Sequence, residues 1–383
     1  MSVGTTGGLL ASAKATSVFK HEILRQYSTT FLAKVASRSE DNRVMVIDGF
    51  AGRGRHDDGT PGSAELFMQA AAALSGVRTA IRLFEKNRSD AERLSEVAAE
   101  YAAKGVDVTA ECADISKVLE TVVASADGMP LFLFLDPCGQ NLPFDLTAKV
   151  LRDLRRGTWP PTEALLNLSA DFTRRIGGTL EKGLDSAGIG TMDKVMGGAW
   201  WQAIALRVHA DSGGGDWEAA ADAVAYEYTR RLAAAAEMGG VLIPVRRKPE
   251  NQPTYHLAFL TRSSHGQWVM ADALAKARQV WLRFVGPQAD DTQDALFEVD
   301  PIGDMLTYEQ DAAMRRAKTR LKTLAARERK FSLIDQVLDA YGEDYAILTE
   351  SNLGKVMADL VREGTLTHDK GKRLGQRIYT YAG

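Results

Sequence analysis

The sequence contains little of what would mark a secreted, membrane-bound or nucleic-acid-packaging protein. It has two cysteines, Cys112 and Cys138, so we expect neither a disulfide framework nor a cysteine-ligated zinc site, and we predict no metal. No stretch approaches the roughly 18 to 20 apolar residues of a membrane span, and the N-terminus lacks a secretory signal pattern. The net charge of −3 excludes a globally basic packaging protein but leaves room for a local basic patch. We expect a soluble, cytoplasmic protein.

What the sequence does contain is enough apolar material for a large α/β core. With 383 residues, 45% of them hydrophobic, the chain can form one large domain or two to three smaller ones. Changes in composition predict four segments. They are a flexible N-terminus at 1–16, an α/β domain at 17–286 with a helical insertion at about 172–240, an acidic linker at 287–307, and a basic helix with a small α+β unit at 308–383.

Five short apolar runs alternate with helical patterns in the α/β domain, which predicts a Rossmann-like, mostly parallel sheet. Two further β-rich runs, at 241–247 and 255–261, predict an antiparallel hairpin at the sheet edge. The five runs are 44–47, 79–84, 106–110, 130–135 and 164–168. Each ends at a polar residue or a turn, as expected when a ligand lies along the carboxyl edge of a parallel sheet.

A glycine-rich turn follows the first run. Its pattern, Asp-Gly-x-x-Gly-x-Gly, departs from the Gly-x-Gly-x-x-Gly dinucleotide fingerprint and is not a Walker phosphate loop. Glycines let the backbone approach a ligand closely, because they have no Cβ. Ser63 is expected to be the N-cap of the helix that follows. The turn residues that we expect to contact a ligand are Asp48, Gly49, Phe50, Ala51, Gly52 and Gly54.

Carboxylates also follow the second and third runs. Glu85 can accept both hydroxyls of a ribose, and Asp114 can accept from the exocyclic amine of adenine while Ile115 packs on the ring. The alternative for Asp114 is the N-cap of a helix predicted at 117–124. Since the turn lacks phosphate-binding features, the pattern favours S-adenosylmethionine, with its methionyl end at the glycine turn. NAD or FAD is the competing ligand, and the glycine spacing disfavours both.

The fourth run ends at Asp136-Pro137, which resembles the Asp-Pro-Pro-aromatic motif of amino-group methyltransferases. There the Asp and a backbone carbonyl accept hydrogens from the target amine and direct its lone pair. We predict a catalytic turn of Asp136, Pro137 and Gly139; the alternative is an Asp that only caps the turn. Cys138 resembles the nucleophile of cytosine C5 methyltransferases. That mechanism needs a Glu or Cys after the fifth strand, where residues 167–169 offer neither, so we expect Cys138 to line the pocket.

Residues outside the strand ends are candidates for holding a substrate. A helix predicted at 17–37 carries Lys20 and His21 away from its apolar stripe, where they either form a lid or stay solvated. The helix at 308–330 is strongly basic and is either a solvated face or a phosphate-tracking surface. The predicted substrate-binding residues are Lys20, His21, Cys138, Ser169, Arg174, Arg315 and Arg316.

The last fifty residues predict two helices and a basic hairpin, the pattern of a winged helix. Helices are expected at 332–341 and 350–363, and strands at 365–368 and 377–381. In nucleic-acid binders of this type the second helix enters a groove and the wing touches the backbone. Residues 331–383 contain eight acidic residues against six Lys and Arg, so a unit that forms a homodimer or docks a protein is the alternative.

Taken together, the ordered motifs resemble the three-Cys-motif partner protein (TcmP) family over roughly residues 14–285. The resemblance implies a class I methyltransferase fold and a cysteine-motif partner protein. The glycine turn and the Asp-Pro turn are also similar to ribosomal-RNA adenine-N6 methyltransferases, which implies an amine target. The motifs are Lys20-His-Glu-Ile-Leu with Tyr27, Ile47-Asp-Gly-Phe-Ala-Gly-Arg-Gly54, Gly62-Ser63, Phe84-Glu85, Phe134-Leu-Asp-Pro-Cys-Gly139 and residues 167–174.

We therefore expect an S-adenosylmethionine-dependent methyltransferase that methylates a nitrogen of a nucleic-acid base, in RNA or DNA. Two alternatives stay open. The same chemistry could act on a peptide or small molecule, or the fold could serve as a non-catalytic nucleic-acid-binding scaffold. Four acidic residues at successive strand ends argue against a pure scaffold, which need not keep them. They are Asp48, Glu85, Asp114 and Asp136.

Overall fold

The structure is a computed structural model, and it describes residues 15–137, 142–183, 187–214, 217–286 and 300–383. The described residues divide into two compact units. The first contains the start of the first helix up to Ser17 and Ser28–Ser263, and the second contains Val18–Tyr27 and Ser264–Gly383. By this division residues 264–286, which the predicted boundaries placed in the α/β domain, belong to the second unit.

The first unit is built on a seven-stranded sheet with the order β3-β2-β1-β4-β5-β7-β6. Strands β1 to β5 are parallel, whereas β7 runs antiparallel to both of its neighbours. The mostly parallel sheet and the antiparallel hairpin at its edge are therefore confirmed. The strands are β1 (Arg43–Asp48), β2 (Arg78–Glu85), β3 (Asp107–Cys112), β4 (Leu131–Leu135), β5 (Thr162–Ser169), β6 (Gly239–Arg246) and β7 (Pro253–Thr261).

Strand β4 lies at the centre of the sheet because its five residues are all apolar, and all five are buried. Alternate side chains serve opposite faces. The rings of Phe132 and Phe134 pack on Phe67, and Phe132 also packs on Phe31. The intervening leucines belong to the core on the other face. The helices of the first unit are the part of α1 (Ala15–Ala36) that belongs to it, α2 (Ser63–Ala72), α3 (Arg88–Ala102), α4 (Ile115–Ala124) and α5 (Phe144–Lys149), which a π-helical turn extends over Val150–Leu154.

A block of four helices fills the predicted insertion between β5 and β6. Trp201 is completely buried in the core, and Trp200 and Trp217 pack against it. Trp201 is therefore a core residue of this block. The helices are α6 (Ala170–Glu181), α7 (Ala187–Met196), α8 (Trp200–Asp211) and α9 (Glu218–Ala235).

The second unit has its own core, made by four helices and a small antiparallel sheet of order β8-β10-β9. The helix predicted at 332–341 is wrong over its first half, because the Ser332 hydroxyl accepts from the backbone of Asp335 and holds a turn there. Identification of this unit as a winged helix stays a prediction. The elements are α10 (Ser264–Val285), α11 (Pro301–Glu328), β8 (Lys330–Phe331), α12 (Val337–Tyr341), α13 (Glu350–Arg362), β9 (Leu366–His368) and β10 (Tyr379–Tyr381).

Within the described residues, every helix is too short or too polar to cross a lipid bilayer.

Candidate functional site

The turn after β1 is shaped by Asp48, whose side chain is completely buried. One carboxylate oxygen accepts from the backbone N–H of Phe50 at 3.1 Å, and the other accepts from the Ser63 hydroxyl at 2.7 Å. The prediction that Ser63 is an N-cap is wrong, because α2 already begins at Ser63 and Gly62 is its N-cap. The hydroxyl of Ser63 serves Asp48 instead. Asp48 therefore acts on the shape of the turn.

Two glycines of this turn are required for physical reasons. Gly52 has φ +58, a left-handed conformation that residues with a Cβ rarely adopt. At Gly49, a Cβ would lie 2.7 Å from the Leu135 side chain and 2.9 Å from that of Ile115. A Cβ at Gly49 would therefore require the side chains of Leu135 in β4 and Ile115 in α4 to shift.

Glu85, the last residue of β2, ties that strand to the turn. Its Oε2 accepts from the backbone N–H of Gly52 at 3.0 Å, and its Oε1 accepts from Asn87 N–H at 2.7 Å. The side chain is half-buried. Each carboxylate oxygen has two acceptor sites, so Glu85 keeps the capacity to accept two hydroxyls.

Asp114 is the N-cap of α4, as one of our two alternatives held. Its Oδ1 accepts from the backbone N–H of Ser116 at 3.1 Å and from its hydroxyl at 2.8 Å. The other oxygen lies 2.9 Å from the ammonium of Lys86. Contact with Lys86, followed by the hydrogen bonds from Ser116, lowers the pKa of Asp114. The capping role leaves Oδ2 able to serve a ligand, since the Lys86 side chain is largely exposed and can move aside. Ile115 is buried.

Asp136 follows β4, and Asn167 lies on the neighbouring strand β5. The Asn167 side-chain amide donates to Asp136 Oδ1. Both side chains are half-buried, and Pro137 is buried. Asn167 is not among the predicted site residues. The signal that could have found it is a polar amide within an otherwise apolar run, close to the end of the strand beside Asp136.

The predicted catalytic residue Gly139 and the predicted pocket residue Cys138 lie outside the described residues. A recess of about 20 Å³ is lined by Pro137, Asn167 and Tyr228, together with apolar side chains. Burial raises the pKa of the Tyr228 hydroxyl well above its usual range, so Tyr228 stays neutral. The polar side chains that line the recess are therefore uncharged, and its other lining residues are apolar.

The strand pairing brings these residues to one edge. Asp48 is the partner of Leu83 in β2 and of Phe134 in β4, and Leu135 is the partner of Leu166 in β5. Neighbouring strands lie about 4.8 Å apart. Along this edge the order is Asp114, Glu85, the glycine turn, Asp136 and Asn167.

The remaining predicted substrate residues of the first unit are placed differently. Ser169 is the last residue of β5 and is half-buried. Arg174 on α6 donates to the backbone carbonyl of Pro253 at 3.1 Å and also pairs with Asp171. Because its guanidinium fastens α6 to the start of β7, Arg174 has a structural role here.

Four predicted substrate residues lie in the second unit. Lys20 and His21 are half-buried on the part of α1 assigned to that unit. Arg316 on α11 is 2.5 Å from Asp344, which is completely buried. Arg315 is exposed and forms no ion pair with the described residues.

Most cations of α11 are neutralised within the second unit. Arg320 pairs with Asp344 at 3.1 Å, and Lys322 pairs with Glu363 at 3.1 Å. Lys318 also pairs with Glu363, and Arg327 pairs with Asp339. A run of positive residues in the sequence is thus largely a set of internal ion pairs in the fold.

An open groove of about 330 Å³ lies between α5, α8 and α9. The guanidinium of Arg231 stacks over the Trp200 ring at 4.5 Å. Arg230 and Arg231 both pair with Glu227 at 2.7 Å, and these contacts, that of Arg230 first, lower the pKa of Glu227 to about 2. The groove is held in shape by this cluster.

Comparisons with known proteins give partial likenesses. No protein-family model matches the chain, and no curated protein sequence matches it. Among solved structures, the chain is similar to the small RNA methyltransferase HEN1, with a TM-score of 0.35, 9% identity, and coverage of 62% of this chain and 25% of that chain. It therefore spans about a quarter of the length of HEN1.

Two further solved structures are similar over more of their own length. TYW2 of M. jannaschii in complex with AdoMet has a TM-score of 0.29 and 11% identity over 61% of this chain and 74% of that chain. The O-methyltransferase TomG of Streptomyces achromogenes in complex with SAM has a TM-score of 0.30 and 14% identity over 67% of this chain and 92% of that chain. At these scores the function has to be argued from the site itself, and the TcmP resemblance stays a prediction.

Proposed function

We propose that this protein is an S-adenosylmethionine-dependent methyltransferase that methylates a nitrogen atom of a nucleic-acid base. The observation that carries the proposal is the row of acceptors at the carboxyl edge of β3, β2, β1, β4 and β5, interrupted only by the glycine turn. The mostly parallel sheet with an antiparallel hairpin at its edge is the arrangement that the resemblance to class I methyltransferases implies.

The residues at this edge fit the cofactor. The turn at Gly49 and Gly52 leaves backbone close to the ligand for the methionyl end, Glu85 accepts the ribose hydroxyls, and Asp114 with Ile115 receives the adenine. Three carboxylates at one edge would repel the diphosphate of NAD or FAD, whereas S-adenosylmethionine carries a sulfonium and an ammonium. This set of carboxylates therefore favours a cationic ligand without phosphate.

The cofactor, when bound, supplies an electrophilic methyl group. Asp136 lies two strand spacings, about 10 Å, from Glu85 along the edge. Its carboxylate accepts an N–H of the target amine, which directs the lone pair toward the methyl group. On methylation the amine would lose one proton, and the Asp136 carboxylate is placed to take it and pass it to water.

The nucleic-acid substrate is supported by exposed cations of the second unit. Arg315, Lys370 and Arg373 are exposed, and the two last residues belong to the hairpin between β9 and β10. In a winged helix this hairpin touches the phosphate backbone. A cysteine-motif partner protein and a homodimer are further proposals that the TcmP resemblance and the acidic balance of this unit support.

A second candidate is the same chemistry on a peptide or small molecule. It is favoured by the ion pairs of α11, which neutralise most of the charge that a nucleic acid would need. A non-catalytic scaffold has no comparable observation in its favour.

The test combines binding and transfer. Calorimetry with S-adenosylmethionine should give saturable binding; absence of binding would refute the methyltransferase proposal. Labelled methyl transfer to separated RNA, DNA, protein and small-molecule fractions should then label RNA or DNA, with the label on a base nitrogen after digestion to nucleosides. Label in protein or small molecules alone would favour the second candidate.

A further inference from the structure

Asn167 is held in one orientation by Asp136. Its Nδ2 lies 2.5 Å from Asp136 Oδ1. If the amide were turned over, its oxygen would face the carboxylate, and two acceptors cannot form a hydrogen bond. The amide nitrogen therefore faces Asp136, and Asn167 Oδ1 must point elsewhere.

That oxygen is buried and has no hydrogen-bond partner among the described residues. An unpaired buried acceptor is costly and is rare in native proteins, so it requires an explanation. Asn167 lines the recess of about 20 Å³ beside Pro137 and Tyr228. Space of this size accommodates one water molecule or one amino group.

The two oxygens lie within the span of one amino group. An amide O and N lie about 2.2 Å apart, so Asn167 Oδ1 and Asp136 Oδ1 are at most about 4.7 Å apart, given the 2.5 Å bond between the side chains. Two acceptors on the two N–H directions of one amine nitrogen, each about 2.9 Å from it, lie about 5 Å apart.

We infer that Asn167 is a second acceptor for the target amine and that it selects substrates with a primary amino group. Asp136 accepts one N–H, and Asn167 Oδ1 accepts the other. A hydroxyl or a ring N–H offers one hydrogen and leaves Asn167 unpaired, so the site discriminates against it. The substrate class is therefore an exocyclic NH₂. This inference rests on the proposed function, since it assumes that methyl transfer occurs at Asp136.

A test that needs no knowledge of the substrate uses two cofactor analogues. Sinefungin carries an amine where the transferred methyl group would be, and S-adenosylhomocysteine carries nothing there. The amine points at the acceptors that would hold the target nitrogen, so we expect the full-length chain to bind sinefungin about tenfold or more tightly than S-adenosylhomocysteine in calorimetry. Asn167→Leu should reduce this preference about tenfold, with S-adenosylhomocysteine affinity unchanged.

Two further variants separate the roles of the Asn167 amide. Asn167→Asp keeps an acceptor oxygen and loses the donor, so the preference for sinefungin should persist. Asn251→Leu makes the same apolar change at an exposed position and should change neither affinity. If Asn167→Leu does not fold, as judged by circular dichroism, Asn167→Ser replaces it, since its shorter side chain also withdraws the oxygen.

The outcomes divide cleanly. If Asn167→Asp loses the preference as fully as Asn167→Leu, then Asn167 only positions Asp136 through its donor, and the inference is wrong. It is equally wrong if S-adenosylhomocysteine binds and Asn167→Leu keeps the full preference, in which case the proposed function survives. If S-adenosylhomocysteine and S-adenosylmethionine both fail to bind, the proposed function itself fails. Label recovered on a hydroxyl or ring nitrogen would also overturn the choice of a primary amine.

Discussion

The carboxyl edge of the first unit and helix α11 of the second unit use charged residues in opposite ways. At the edge, the carboxylates of Asp48 and Glu85 accept mainly from backbone N–H groups and a hydroxyl, and half-buried Glu85 keeps acceptor capacity for a ligand. The cations of α11 instead form ion pairs within the second unit, and Asp344 pairs with both Arg316 and Arg320. A few acidic residues can thus form a binding site, whereas a longer run of basic residues can serve to hold the fold together.

Among the variants that test this contrast, we expect the largest effect on activity at Asp136. Asp136→Asn keeps the size of the side chain and removes the charge that receives the proton, so methyl transfer should fall about 100-fold or more. Affinity for S-adenosylmethionine should change little, because the cofactor contacts that we propose are made by Glu85 and the glycine turn. Labelled transfer and calorimetry measure the two quantities, and Asp58→Asn, in an exposed loop, is the control. Undiminished transfer would show that Asp136 is no more than a capping residue.

For the ion pairs of α11, the variant Asp344→Asn should destabilise the second unit. It leaves Arg316 and Arg320 without their shared carboxylate, and because Asp344 is completely buried we expect the free energy of unfolding to fall by about 2 to 3 kcal/mol. Urea denaturation measures this. Glu343→Gln, which alters the exposed neighbour that also contacts Arg316, should have little effect. Equal losses for both variants would mean that burial of the ion pair is not what matters.

Glu85 tests whether a carboxylate at the edge serves the ligand. Glu85→Ala removes the ribose acceptor and the bond to Gly52 N–H, so affinity for S-adenosylmethionine should fall about tenfold to 100-fold. Glu92→Ala, on the exposed face of α3, is the matched control. Calorimetry that finds the same dissociation constant for Glu85→Ala and the unaltered chain would contradict the assignment of the ribose site.

The smallest effect concerns Glu227, whose pKa is lowered to about 2 by Arg230 and then Arg231. A lowered pKa contributes stability that is present above the unfolded value near 4.5 and is lost as the pH falls toward about 2. Both arginines are more than one-third exposed, so screening limits the contribution to about 1 kcal/mol.

Glu227→Gln should therefore be less stable at neutral pH, and the difference should shrink between about pH 4.5 and pH 2. Thermal unfolding across this range checks it. Glu250→Gln, on the exposed turn before β7, should show no such dependence. A difference that stays constant with pH would assign the loss to packing instead of charge.

Much of the sheet follows from the sequence, because continuous apolar runs such as that of β4 have few other places to go. Because the carboxyl ends of parallel strands lie at one edge, the acidic residues that follow the strands can also be grouped from the sequence. Finer details depend on tertiary contacts. Ser63 looks like an N-cap, but the buried carboxylate of Asp48 takes its hydroxyl. Asn167 cannot be selected without knowing that β4 and β5 are neighbours and in which register they pair.

Gly49 has a consequence for how the site responds as a whole. The atoms nearest to its absent Cβ belong to Leu135, which precedes Asp136, and to Ile115, which follows Asp114. A displacement of the turn would therefore affect both Asp114, where we propose that adenine binds, and Asp136, where we propose that methyl transfer occurs. A single methyl group at Gly49 would disturb the neighbourhoods of Asp114 and Asp136 at once. Cofactor binding and methyl transfer, as we propose them, are therefore coupled through this one position.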